Sequence, residues 1–94
     1  MNMYYTYILK SEKDKKFYTG YTNNLKLRFK QHCDGKVVST KNRRPLKLIY
    51  YEVCLNQQDA THREKYLKTY HGKMFIMLNN FTKGEIPAIQ DLTW

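Results

Sequence analysis

Near the start of the chain, two sets of side chains alternate along the sequence: Tyr5, Tyr7 and Leu9 with Tyr4, Thr6 and Ile8. Residues 3–10 are mainly aromatic or β-branched, which is typical of a strand packed on at least one face. The polar residues 11–16 predict a turn, and residues 17–21 predict a second strand. The two strands would pair as a hairpin in which Tyr7 and Tyr18 lie within reach of each other, although the sequence leaves the register open.

A helical pattern follows the hairpin. Residues 22–24 offer polar N-cap side chains for a helix from about residue 25 to residue 34, and Gly35 supplies a left-handed stop. Arg28 and His32 are four residues apart, so both would project from one side of this helix. His32 falls on the stripe that faces the core, and Arg28 lies beside that stripe.

The second half of the chain begins with a basic segment, residues 36–47, which holds five basic residues and no acid. We interpret it as an exposed loop that leads into a third strand over residues 46–55. The nearly continuous apolar and aromatic character of that strand favours a buried position in the sheet. Asn56 would cap a second helix that runs down to Gly72, and a shorter helix from residue 73 to about residue 81 follows.

These elements occur in the order ββαβαα. The economical arrangement is an α+β fold, in which a small three-stranded antiparallel sheet is flanked by helices around one core. Because 94 residues suffice for one small domain, we expect the folded domain to cover residues 1–82. Residues 83–94 would form a C-terminal tail, either docked or mobile.

The charge of the chain indicates its partners. Lys and Arg outnumber Asp and Glu by 17 to 8, which gives a net charge of +9 that is spread along the chain. Such a field attracts polyanions, so nucleic acid is the first partner to consider and an anionic membrane surface the second. The basic residues do not form one amphipathic face, and no apolar run approaches the roughly 20 residues of a membrane span. We expect no membrane partner and, without a secretory signal pattern, a cytoplasmic location.

Five side chains could together carry out one reaction. They are two phenols, a guanidinium, an imidazole and a carboxylate on the second predicted helix: Tyr7, Tyr18, Arg28, His32 and Glu64. Such a set could cut a phosphodiester with a single bound metal ion and needs no nucleophilic Ser or Cys. Each residue also has an ordinary interpretation, since a strand tyrosine often only packs and Glu64 could pair with Lys68 one turn later.

The spacing of these residues resembles the GIY-YIG nuclease family, specifically its small single-domain bacterial members related to the nuclease module of the excision-repair subunit UvrC. The two triplets of the family name correspond to residues 5–7 and 18–20, with eleven residues from tyrosine to tyrosine. Arg28 and His32 match the family's helical Arg-x-x-x-His, and Glu64 matches the metal-binding acid of its later helix.

The match includes departures from the family pattern. Three positions of the two triplets hold other residues than the family's Gly and Ile, namely Tyr5, Thr6 and Thr19. The late asparagine that completes the metal side in many members has Asn79 or Asn80 as its candidate equivalent. Both tyrosines and the glycine of the second triplet are retained.

The resemblance implies a divalent-metal-dependent endonuclease that hydrolyses phosphodiester bonds in DNA, with repair or recombination as the expected context. Glu64 would hold Mg²⁺ or Mn²⁺, and Arg28 would contact the phosphate. One tyrosine would take a proton from water, and either of the two is a candidate for this base. His32 would position the water or a tyrosine hydroxyl.

Contacts with nucleic acid would come from close backbone approach at Gly20 and from five basic side chains: Lys26, Lys36, Lys41, Arg43 and Arg44. DNA is the expected nucleic acid, although the sequence does not distinguish it from RNA. A homodimer or a protein partner could supply the choice of target. The alternative function is a catalytically inactive nucleic-acid-binding module of the same fold.

Overall fold

A computed structural model of the chain describes residues 3–76. Its elements follow in the predicted order ββαβαα, so the predicted α+β fold is confirmed. The strands are β1 (Tyr4–Ser11), β2 (Phe17–Thr22) and β3 (Leu46–Cys54). The helices are α1 (Leu25–Cys33), α2 (Gln57–Leu67) and α3 (Tyr70–Ile76), and a short 3-10 helix (Lys41–Arg43) lies between α1 and β3.

The three strands form one antiparallel sheet in the order β2-β1-β3. The first half of the predicted third strand is buried as expected at Leu48 and Ile49, whereas Val53 is 52% exposed. The strand lies at an edge of the sheet, and β1 lies at its centre. Leu48 packs into a cluster on one face of the sheet and Ile49 into a cluster on the other. The apolar run of β3 arises because other side chains pack on both faces of this strand. Such packing occurs on central strands and on edge strands alike.

The central strand β1 divides the core into two parts because its side chains alternate between the two faces. On one face, Tyr7 and Leu9 pack with Leu25 of α1. On the other face, Ile8 packs with Leu67 of α2. Helix α1 therefore covers the face of the sheet that carries Tyr7, and α2 covers the opposite face.

The predicted ends of α1 are confirmed. The side chain of Asn24 accepts a hydrogen bond from the Leu27 amide at 3.1 Å and caps the start of the helix. Just beyond the helix, Gly35 has a φ of 77°, a left-handed conformation that glycine adopts without steric strain. Both ends of the helix that carries Arg28 and His32 are thus specified locally.

The predicted extension of the second helix down to Gly72 is wrong. Helix α2 ends at Leu67, and α3 begins after Thr69, whose hydroxyl accepts a hydrogen bond from the Gly72 amide at 3.2 Å. A Cβ at Gly72 would lie 2.2 Å from the carbonyl oxygen of Tyr66, so the glycine lets α3 pack closely against the end of α2. Gly72 is an internal residue of α3 and not a helix stop.

Some of the sequence predictions concern residues beyond the described part of the chain. These are the end of the third predicted helix after residue 76, the candidate asparagines Asn79 and Asn80, and the tail at residues 83–94. The domain boundary at residue 82 also falls there and stays a prediction.

Candidate active site

A buried chain of hydrogen bonds joins β1 to α1 and to the basic segment. The Tyr7 hydroxyl lies 2.8 Å from His32 Nε2, and His32 Nδ1 lies 2.7 Å from Thr40 Oγ1. The Thr40 hydroxyl in turn donates to the Val37 carbonyl oxygen at 3.5 Å. Tyr7 is 1% exposed, and His32 and Thr40 are each 0% exposed. This series of hydrogen bonds therefore gives the polar groups of three core side chains their partners.

Tyr18 joins this cluster through its ring. The register places Tyr7 opposite Gly20 and Leu9 opposite Tyr18, which makes the two tyrosines diagonal neighbours on one face of the hairpin. The ring centroids of Tyr7 and Tyr18 are 6.4 Å apart, and those of Tyr18 and His32 are 5.2 Å apart with the rings edge to face. Tyr18 is half-buried, whereas Tyr7 is enclosed. The predicted proximity of the two tyrosines is confirmed.

Gly20 makes room for the Tyr7 hydroxyl. Tyr7 leans across the backbone of β2, and a Cβ at Gly20 would lie 2.7 Å from its hydroxyl oxygen and 2.8 Å from Cζ. The same Cβ would lie 3.2 Å from the Tyr18 ring. Any side chain at position 20 would therefore displace the Tyr7 phenol from its contact with His32.

Arg28 lies one turn before His32 on α1 and is half-buried. Its Nη1 donates to Gln31 Oε1 at 3.2 Å. A hydrogen bond from Arg28 opposes the rise in the pKa of Tyr7, and its positive charge lowers the pKa of His32. The guanidinium also lines an open groove, so a ligand in that groove could contact it.

Burial sets the protonation states of Tyr7 and His32. It raises the pKa of Tyr7 to about 12, and the negative charge of Glu64 contributes a smaller increase. Burial also lowers the pKa of His32 to about 4, and the charge of Arg28 adds to this decrease. At neutral pH the phenol therefore keeps its proton and the imidazole is uncharged. An uncharged imidazole in contact with a protonated phenol can accept the phenol's proton.

Glu64 lies on α2, the helix that covers the face of the sheet opposite to Tyr7. Its side chain is 19% exposed, and its Oε2 lies 3.2 Å from Lys68 Nζ, the ion pair that the sequence offered as an alternative. Helix α2 also contacts β2, toward which Tyr7 leans, and the charge of Glu64 acts on the pKa of Tyr7. Glu64 is thus coupled to the tyrosine cluster through its charge.

The carboxylate of Glu64 could serve a metal ion without other acids nearby. Within residues 3–76, no group of three or more His, Cys, Asp or Glu side chains is placed to hold a metal ion. Mg²⁺ fits a site with one carboxylate, because it prefers oxygen ligands and keeps several of its waters. An ion bound by Glu64 would compete with Lys68 for the carboxylate.

Two arginines of the basic segment already have partners in the protein. Arg43 donates to both carboxylate oxygens of Asp14, at 2.8 and 3.3 Å, and this pairing holds the pKa of Asp14 well below its usual range. Arg44 donates to the backbone carbonyls of Lys41 and Cys33, so it closes the end of α1. Both side chains stabilise the loop, and their contact with nucleic acid stays a prediction.

The lysines of the predicted interface are placed differently. Lys26 on α1 and Lys36 and Lys41 in the basic segment are all exposed. Exposed ammonium groups on long side chains can reach phosphates at little cost. Arg44 is exposed as well, whereas Arg43 is half-buried.

Thr40 belongs to the buried series of hydrogen bonds with Tyr7 and His32, and the sequence analysis did not identify it. It stands next to Lys41 in a run of small polar and basic residues, which has the composition of an exposed loop. Its burial depends on the path of the basic segment over α1, a tertiary feature with no local signature. A threonine eight residues after a core histidine carries too little pattern to be recognised from sequence alone.

The chain matches the family model of the GIY-YIG catalytic domain over residues 3–79. It therefore belongs to the GIY-YIG family, and the family predicted from the sequence is confirmed. The Tyr7, Tyr18, Arg28, His32 and Glu64 set lies within the matched residues.

Several relatives identify the branch of the family. A UPF0213 protein of Clostridium perfringens is 48% identical over 86 residues, which cover 88% of this chain and 91% of that protein. A UPF0213 protein of Staphylococcus haemolyticus is 42% identical over 71 residues, which cover 74% of this chain and 85% of that protein. The solution NMR structure of a UPF0213 protein from Bacillus halodurans has a TM-score of 0.55 and 28% identity, with 86% of this chain and 89% of that chain covered. The chain is thus one of the small bacterial UPF0213 proteins.

The lengths of the helices show whether any of them could cross a membrane. Among the helices of residues 3–76, α2 is the longest, with 11 residues. In residues 3–76, no helix has the length and apolar character that are needed to cross a bilayer.

Proposed function

We propose that the protein is a divalent-metal-dependent endonuclease that hydrolyses phosphodiester bonds in DNA. The observation that carries this proposal is the contact of the protonated Tyr7 phenol with the neutral His32 imidazole, beside Tyr18 and Arg28. Burying such polar groups is costly unless each is satisfied, and apolar side chains could fill the same volume at lower cost. Membership of the GIY-YIG family supports a catalytic use for this arrangement.

Arg28 would bind the scissile phosphate. A guanidinium stays charged at all relevant pH values and can donate two parallel hydrogen bonds to nonbridging oxygens. Gln31 accepts a hydrogen bond from Nη1 at 3.2 Å and holds the guanidinium without neutralising it. Preorganised charge of this kind commonly lowers a reaction barrier by ~3 kcal/mol.

Tyr7 and His32 would together remove a proton from the attacking water. Because the pKa of Tyr7 is about 12, its phenol can accept a proton at neutral pH only while it gives its own away. His32 Nε2, 2.8 Å from the hydroxyl, would receive that proton. The half-buried Tyr18 would orient the water or the phosphate from the accessible side of the cluster.

Glu64 would hold the divalent ion, Mg²⁺ or Mn²⁺, together with water ligands. When bound, such an ion supplies positive charge that stabilises the departing oxygen. Glu64 would then leave its ion pair with Lys68, whose side chain is 56% exposed and can turn toward solvent. The bound ion would replace the ammonium group beside the carboxylate, so the partly buried Glu64 would not be left without a positive partner.

The test is a plasmid nicking assay in Mg²⁺ with the full chain. The parent should convert supercoiled DNA to the nicked form, and Arg28→Ala and Glu64→Gln should each lower the rate at least ~100-fold while remaining folded. Glu12→Gln is the matched control, because Glu12 is an exposed acid in the turn between β1 and β2. Cleavage at the parental rate by both site variants would refute the proposal.

A second candidate function is a nucleic-acid-binding module without turnover. The ion pair between Glu64 and Lys68 favours it, because this pair occupies the one acid that the metal would need. A binding module should hold DNA equally well with Glu64→Gln and show no change on addition of Mg²⁺ or Mn²⁺. Calorimetric titration of these ions into the protein separates the two functions, since heat that depends on Glu64 is expected of the nuclease alone.

A further inference from the structure

Thr40 is a buried polar side chain in a segment, residues 36–47, that is mostly exposed. Its immediate neighbours Ser39 and Lys41 face solvent, and Val38 is 81% exposed, whereas Thr40 is 0% exposed. Its hydroxyl lies 2.7 Å from His32 Nδ1, on the side of the imidazole that faces away from Tyr7. The core thus encloses a single hydroxyl of this segment, and that hydroxyl contacts the imidazole.

The backbone around Thr40 holds this hydroxyl in place. The Thr40 amide donates to the Val37 carbonyl at 3.0 Å, and the Thr40 carbonyl accepts from the Arg43 amide at 2.9 Å. Thr40 is also the residue at the start of the 3-10 helix Lys41–Arg43. Because the main chain is hydrogen-bonded on both sides of Thr40, the position of this residue within the loop is fixed.

The direction of the hydrogen bonds follows from the Tyr7 hydroxyl. Within residues 3–76 its hydroxyl proton has one acceptor, His32 Nε2 at 2.8 Å, while Arg28 can only donate to it. A phenol that donates to Nε2 requires this nitrogen to be unprotonated, and the neutral ring would then carry its proton on Nδ1. The Thr40 hydroxyl donates to the Val37 carbonyl at 3.5 Å, so its oxygen is free to accept a hydrogen bond from Nδ1 at 2.7 Å.

We propose that Thr40 is a positioning residue that fixes the Nδ1-protonated tautomer of His32. By accepting the Nδ1 proton, it keeps Nε2 free to receive the proton of Tyr7. In the other tautomer, Nε2 would carry a proton and could not accept one. The catalytic consequence of this role rests on the proposed nuclease function, whereas the tautomer itself does not.

The test compares Thr40→Val, which removes the hydroxyl at nearly constant volume, with Thr40→Ser, which keeps it. Ser39→Ala is the matched control, because Ser39 is the exposed neighbour in the same segment. The first readout is the pair of ring nitrogen shifts of His32 in ¹⁵N-labelled protein at pH 7, assigned with a His32→Gln variant. The second is the steady-state rate of DNA cleavage as a function of DNA concentration in Mg²⁺.

We expect the parent, Thr40→Ser and Ser39→Ala to show a protonated Nδ1 and an unprotonated Nε2. Thr40→Val should shift both nitrogens toward a mixture of tautomers and lower the maximal cleavage rate by about 10- to 100-fold, with a KM close to that of the parent. Rescue by the Ser variant separates loss of the hydroxyl from loss of packing. If Thr40→Val does not fold, the tautomer of the parent and of Thr40→Ser still decides the question.

A protonated Nε2 in the parent would overturn the proposal, and so would parental ring shifts in a folded Thr40→Val variant. An absence of DNA cleavage by the parent would instead count against the nuclease function. In that case the ring nitrogen shifts alone would support or refute the positioning role.

Discussion

At the scale of single residues, the role of each side chain in the site is set by its contacts in the folded protein more than by its amino-acid type. Sequence spacing identified Tyr7 and His32, because a strand and a helix with known periods set which face each residue occupies. It could not identify Thr40, which reaches His32 from a loop, nor the steric role of Gly20 under the Tyr7 hydroxyl. Such contacts depend on tertiary distances that have no period in the sequence.

Gly20→Ala should destabilise the protein and disrupt the site. The added methyl group would lie 2.7 Å from the Tyr7 hydroxyl oxygen and 2.8 Å from Cζ, and an enclosed ring cannot move away freely. We expect a loss of about 1–3 kcal/mol in the free energy of unfolding, measured by urea denaturation. Asn23→Ala at the exposed end of the same hairpin is the control and should stay within about 0.5 kcal/mol of the parent. An unchanged urea midpoint for Gly20→Ala would contradict the packing described.

His32 should make stability depend on pH. Its pKa is about 4 in the folded protein against 6.5 as the ordinary value, so the unfolded chain binds the proton more tightly. Stability from this group is present in full above pH 6.5 and is lost as the pH falls toward 4. The loss should reach about 3 kcal/mol, and His32→Gln should remove this part of the pH dependence. Equal slopes for the parent and the variant between pH 7 and 4 would show that His32 is not buried in the neutral form.

At the scale of elements, local signals predicted where most helices and strands begin and end, and packing decided the rest. The N-cap at Asn24 and the stop at Gly35 were readable because each acts within one turn of the chain. The break between α2 and α3 was not, because the role of Gly72 is to allow contact with the backbone of Tyr66. The edge position of β3 was also not readable, since its apolar run fits any strand with both faces covered.

Ser11 joins the turn after β1 to the basic segment, and its loss should loosen both. Its buried hydroxyl donates to the Arg43 carbonyl at 2.6 Å and accepts from the amides of Lys13 and Asp14 at 3.1 Å. Ser11→Ala would leave these groups unsatisfied and should cost about 1–3 kcal/mol in unfolding free energy. Amide hydrogen exchange of residues 40–43 should accelerate in this variant and not in the exposed control Ser39→Ala. Parental exchange rates in Ser11→Ala would contradict this link.

At the scale of the whole molecule, the net charge of +9 is the property that bears most on partners. Its sum was readable from the sequence, but its division into free and paired cations was not. Arg43 is neutralised by Asp14, whereas Lys36 and Lys41 remain exposed. The structure therefore separates cations that hold the fold together from cations that are available to a polyanion.

Binding of duplex DNA should weaken steeply with salt, and the exposed lysines should set the slope. The slope of log K against log salt is negative, and each phosphate contact that is lost decreases its magnitude by about 0.9. Lys36→Ala and Lys41→Ala should each show such a decrease, while Arg43→Ala should keep the parental slope because its guanidinium already pairs with Asp14. Fluorescence anisotropy at several salt concentrations measures this, and a decrease confined to Arg43→Ala would reverse our assignment.

The proposed nuclease function requires that Glu64 and the Tyr7–His32 pair serve one metal-dependent site. The most direct measurement is a Mn²⁺ titration followed by NMR, because this paramagnetic ion broadens the signals of nuclei close to it. We predict that the signals of Glu64, Tyr7, Tyr18 and His32 broaden first in the parent and stay sharp in Glu64→Gln at the same Mn²⁺ concentration. Broadening that centres on other acids, such as Asp34 or Asp59, or that persists unchanged in Glu64→Gln, would show that Glu64 and the Tyr7–His32 pair do not share a metal site.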